Sequence, residues 1–190
     1  MKMKQGFVLG AVLGLATTQM ALADPTALQL AKSGDEYVGS PSRDRVLEIY
    51  SERSVARMEP NIWHVVYYDP SVMSKSIDVK FGAGQEMDVS HPVHPFVWAP
   101  KAENIFDLSK LRVDSDRALH IATSQPLLNG LTLRSSKMSL ENSDDGVVWK
   151  VEIFAAKTGD PSKEVSVGIV CISANDGSLI KTDLHPDSVN

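Results

Sequence analysis

The sequence predicts an α+β protein of two tandem modules, each a helix packed on an antiparallel β-meander sheet. Segments of helical period open at Ser or Asp caps in both halves of the chain. Short runs of alternating β-branched and aromatic residues follow each of them. The later runs are joined by Asp144-Asp145-Gly146, Gly159-Asp160-Pro161 and Asn175-Asp176-Gly177, the turn chemistry of an antiparallel meander. At 190 residues, 43% hydrophobic and 23% charged, the chain is long and apolar enough to bury a sizeable core, which excludes disorder and collagen-like repetition. Residues 24–90 form the first module in this reading, 91–110 a proline-rich connector and 111–190 the second module.

Residues 1–23 stand apart. Lys2 and Lys4 precede an apolar stretch from Gly6 to Thr18, and Ala21-Leu22-Ala23 is a small-residue cleavage site before Asp24. All three parts of a secretory signal peptide are there, and the apolar stretch falls short of the roughly twenty residues a bilayer span needs. Cleavage after Ala23 leaves 167 residues with 17 basic and 24 acidic side chains, a net charge of −7 against −5 for the whole chain. A surface of that sign excludes non-specific nucleic-acid binding, which rests on neutralising phosphates. The expected product is periplasmic or secreted, without stable membrane insertion.

In the first half, Thr26 to Lys32 leans helical and closes at Gly34. A stronger helix signal opens at Ser40-Pro41, carries Val46, Leu47, Ile49 and Tyr50 at helical spacing and stops at Pro60. Ile62 to Tyr68 and Ser76 to Phe81 read as strands, and Gly82-Ala83-Gly84 turns into a third, Gln85 to Val89. Three prolines between His91 and Pro100 favour an extended connector. Beyond it, Asp114-Ser115 caps a helix through Asp116 to Ala122 that ends before Pro126. Strands are expected at Leu131 to Leu140, Val147 to Phe154, Glu164 to Ser173 and Ser178 to Leu184.

The halves echo each other. Asp44 to Ile49 matches Asp116 to Ile121, Trp63 to Tyr67 matches Trp149 to Ile153, and Gly84 matches Gly177. The spacing between matches widens by about one strand and a turn, which the extra strand at Leu131 to Leu140 would supply.

Leu111 to Ala122 with its Asp114-Ser115 start, Gly146 to Ile153 centred on Trp149, and Val170 to Lys181 with Asp176-Gly177 together resemble the PepSY domain pattern. The resemblance covers residues 111–187 well and the first half loosely. It implies an exported α+β module, often in tandem, associated with binding or restraining proteins such as peptidases. Tandem copies of this shape also resemble the β-lactamase-inhibitory-protein architecture.

Signatures of catalysis are missing: there is no G-x-S-x-G elbow, no H-E-x-x-H and no glycine-rich phosphate loop. His91 and His94 have metal-ligand spacing, but only Asp88 lies near as a third ligand, so a rigid connector without metal is the expectation. No cofactor is implied. Asp114, Asp116, Asp144 and Asp145 sit where caps and turns use them. Cys171 is the only cysteine; sharing a strand face with Val165, Val167 and Ile169, it is expected to be buried and inert. Trp63 and Trp149 are expected to anchor the cores, with His64 on the face opposite Trp63, and His120 facing solvent or partly buried.

The expected role is therefore binding rather than catalysis, with another exported protein as partner and Phe96, Trp98, Tyr67 and Tyr68 as possible contacts. A small apolar ligand or lipid carrier, using a cavity between helix and sheet, is the alternative. A hydrolase would need His64 or His120 beside a serine and a carboxylate.

Overall fold

Two short helices begin side by side and share one cap. The computed structural model describes residues 24–91 and 101–190. Helix α1 is Ala27–Gly34 and helix α2 is Ser115–Thr123. The Asp114 carboxylate accepts from the Ser115 backbone N–H at 2.7 Å and from the Leu28 N–H of α1 at 3.0 Å. Its second oxygen accepts from Thr26 Oγ at 2.5 Å, while Ser115 Oγ accepts from the Ala27 N–H at 3.0 Å. One acidic side chain thus satisfies orphan N–H groups, and faces the positive dipole ends, of both helices.

The strands are β1 Val46–Ser51, β2 Ile62–Tyr68, β3 Ser76–Gly82, β4 Gln85–Ser90, β5 Leu133–Ser143, β6 Gly146–Lys157, β7 Asp160–Ser173 and β8 Leu179–Leu184. They form one eight-stranded sheet in the order β4-β3-β2-β1-β5-β6-β7-β8, with every pairing antiparallel. The expected architecture of two tandem modules, each a helix packed on an antiparallel sheet, is thereby corrected. The first strands of the two halves pair across Ile49↔Leu140 and Tyr50↔Ser139, so the halves share one sheet and one core.

The error lies at Ser40 to Pro60, which is not helical. Residues 40–44 are turn, Asp44 takes a left-handed φ of 57°, and Val46–Ser51 is the central strand β1. A β-bulge between Val46 and Glu48 explains the misleading spacing. It puts Val46 and Ile49 on one face, three residues apart as on a helix, whereas an unbroken strand would set them on opposite faces. Asp44 to Ile49 is accordingly no counterpart of Asp116 to Ile121. The element order that does recur is a helix followed by four strands, α1 with β1–β4 and α2 with β5–β8, so Leu131 to Leu140 supplies no extra strand but the counterpart of β1. In that order Trp63 and Trp149 stand on corresponding strands, and Gly84 and Gly177 on corresponding turns with φ of 80° and 84°.

Both helices lie on one face of the sheet, above Trp63, Val65, Tyr67, Val79, Ile49, Leu140, Trp149, Val151 and Ile172, each at most 3% exposed. The two tryptophans meet edge to face across the middle, ring centroids 6.3 Å apart. Their indole N–H groups donate to Pro60 O at 3.1 Å and Val113 O at 2.8 Å, so the rings bury their area without a stranded donor. A single continuous cluster replaces the two separate cores expected.

Cys171 also departs from expectation. A bulge opposite Ile153 and Phe154, at Gly168 with φ 119°, changes the face of the strand between Val167 and Ile169. Val167 stays in the core, whereas Ile169 is 38% exposed and Cys171 half-buried on the other face. No side chain can replace Gly168: a Cβ there would stand 2.0 Å from the Asp183 carbonyl oxygen.

Candidate functional site on the open sheet face

The face of the sheet away from the helices carries a polar and aromatic network built by register. Tyr50↔His64 and His64↔Lys80 are cross-strand pairs, which bring Tyr50 of β1, His64 of β2 and Lys80 of β3 into one row. Tyr50 and His64 stack with centroids 4.5 Å apart and planes 3° from parallel. Asp78 of β3 lies diagonally: its carboxylate is 2.9 Å from His64 Nδ1 and accepts from the Tyr50 hydroxyl at 3.2 Å. The other imidazole nitrogen is 3.5 Å from Glu52, which also takes an ion pair from Lys80 at 2.6 Å.

This surrounding decides the charge of the imidazole. The hydrogen bond to Asp78 raises the His64 pKa above its ordinary value, and partial burial only opposes that shift. Burial, followed by the nearby Asp78 charge, pushes the Tyr50 phenol well above the usual range and keeps it protonated. Glu48, on the same face of β1, is raised by burial first and then by Asp78, with Lys137 pulling the other way. The Lys80 hydrogen bond holds Glu52 below the usual carboxylate range.

The network continues across the middle of the sheet. Arg53, just after β1, lies over the Phe154 ring of β6 at 3.8 Å and pairs with Glu164 of β7. Ser135 donates to the same Glu164 at 2.5 Å, and Lys150 pairs with Glu141. Six strands thus contribute side chains to a face that neither α1 nor α2 covers.

Of the residues singled out from sequence, Tyr68 is half-buried and shares this face with His64. Tyr67 points the other way, fully buried, its hydroxyl donating to Ala31 O at 2.5 Å beneath α1. Phe96, Trp98 and His94 lie outside the described residues, as do residues 1–23, where a signal peptide is expected. His91 is exposed, and His120 is exposed on α2. Among the described residues no group of three or more His, Cys, Asp or Glu is arranged to hold a metal ion, and no helix is long and apolar enough to cross a membrane. Tyr50, Glu52, Asp78, Lys80 and Arg53 were not singled out from sequence, since only the register of three strands brings them to His64 and only that of β6 and β7 brings Phe154 and Glu164 to Arg53.

No family model, curated protein or solved structure matches the chain.

Proposed function

We propose that the protein is an exported, non-catalytic binding module that engages another exported protein through the open sheet face. The observation that carries this reading is the pre-ordering of that face. Tyr50 is already stacked, and Arg53 already lies over Phe154, with hydrogen bonds fixing both groups. Aromatic and Arg side chains dominate binding hot spots, and holding them in place beforehand lowers the entropy cost of association. Restraint of the partner's activity is the form of binding that the PepSY resemblance implies.

The chemistry of the network favours binding over catalysis. His64 faces carboxylates at both nitrogens, and among the described residues neither nitrogen is hydrogen-bonded to a serine hydroxyl. The carrier alternative has against it the filled centre of the core, with Leu140, Trp149, Val151 and Ile153 at 0% exposure between helices and sheet; the recesses beside α2 are open at the surface and do not enclose a ligand.

The test is capture of a partner from the exporting cell's envelope, followed by calorimetry with that purified partner. Tyr50→Ala and Arg53→Ala should each weaken binding at least tenfold, the cost of a typical hot-spot truncation. Trp98→Ala tests the connector in the same assay. Affinities unchanged by Tyr50→Ala and Arg53→Ala would remove the open face as the interface.

A further inference from the structure

On the opposite side of the molecule, a groove runs between α2 and the loop that follows β1. It consists of two adjoining recesses, one of about 320 Å³ and one of about 280 Å³. The first has Trp63, Pro60 and Met138 at its base, and the second Met58 and Leu133. Leu119, Glu59 and Asp116 line both, so the two acidic residues belong to the wall the recesses share, while Arg57 also lines the first and His120 the second. Glu59 and Asp116 are exposed, and neither belongs to an ion pair among the described residues, whereas Asp24 at the groove's end is neutralised by Arg57 at 2.9 Å.

We propose that this groove binds a peptide segment of another protein in which a Lys or Arg stands between two apolar side chains. The charge pattern selects that occupant. Two apolar recesses flank a central acidic pair, so a complementary ligand carries its cation in the middle and its apolar groups on either side. A single-chain amphiphile carries its charge at one end and would leave one recess facing the wrong chemistry. An extended peptide points every second side chain the same way at intervals of roughly 7 Å, so apolar groups at its first and fifth positions can fill the two recesses while a Lys or Arg at the third faces the acidic pair. The groove is independent of the open sheet face and would serve a second contact, with the same partner or another.

The probes are three capped pentapeptides, Leu-Ser-Lys-Ser-Leu, Leu-Ser-Glu-Ser-Leu and Gly-Ser-Lys-Ser-Gly, titrated into the purified protein while the Trp63 indole N–H is followed by NMR. Leu-Ser-Lys-Ser-Leu should shift that signal and bind at least fivefold more tightly than the other two. The double variant Glu59→Gln, Asp116→Asn should bind it about tenfold more weakly and lose its salt dependence, as expected for two half-solvated ion pairs. Unfolding curves of the variant serve as the folding control. Equal binding of all three peptides, an unmoved Trp63 signal, or full affinity in the double variant would each overturn the proposal. So would tighter binding of dodecyltrimethylammonium at the same site, which would make the occupant an amphiphile.

Discussion

The two faces of the sheet are made from alternate residues of the same strands and behave as different materials. On β2, Trp63, Val65 and Tyr67 are at most 3% exposed under the helices, while their neighbours His64 and Tyr68 sit half-buried on the open face. The covered face is apolar and continuous. Its opposite is stitched by hydrogen bonds, ion pairs and ring contacts that water can reach. Stability should therefore reside in the first and recognition in the second, a division that neighbouring residues can test.

Trp149 and Lys150 offer the widest contrast. Trp149→Ala should cost about 3–5 kcal/mol in denaturant unfolding, since it empties the centre of the core and removes the contact with Trp63. Lys150→Ala, which loses only a partly exposed ion pair with Glu141, should change stability by less than about 1 kcal/mol. Comparable losses would dissolve the distinction between the faces. Asp114→Ala comes next, at about 2 kcal/mol, because three hydrogen bonds at two helix starts lose their acceptor. Asp114→Asn should recover part of that loss by chemical denaturation, and failure to do so would point to charge rather than hydrogen bonding.

The smallest effect concerns pH. His64 has a raised folded pKa, so its contribution to stability is full below the unfolded value of about 6.5 and is lost as pH rises through the folded value. The urea midpoint of the wild type should fall across that window, and His64→Phe, which keeps a ring to stack on Tyr50, should lack this component. Parallel profiles for the two proteins would show that the imidazole is not coupled to Asp78 as the 2.9 Å contact implies.

Strands β2 and β3, the Asp114 cap and the turns at Gly146 and Gly177 were legible because each is encoded within a few neighbouring residues. Strand β1 was not, because its bulge gives Val46 and Ile49 the spacing of a helix. That one misreading also hid the single sheet, since β1 is the strand through which the halves pair. The open-face network was invisible for a related reason. His64, Asp78 and Glu52 are far apart in sequence and meet only through pairing registers, which alternation within a strand does not specify. The place of His64 opposite Trp63 could be read from that alternation alone.

The seam between β1 and β5 has a consequence in time as well as in space. Within each half the strands pair with their sequence neighbours, so their hairpins close short loops. Ile49 and Leu140, by contrast, meet from on the order of ninety residues apart, at a seam of two residue pairs reinforced by buried hydrogen bonds from Met138 N–H to Ser51 Oγ and from Ser54 N–H to Ser136 O. Folding should reach this closure last. Asp114, bridging α1 and α2 on the helix side of the same junction, then works as the catch that keeps a late-closing sheet shut.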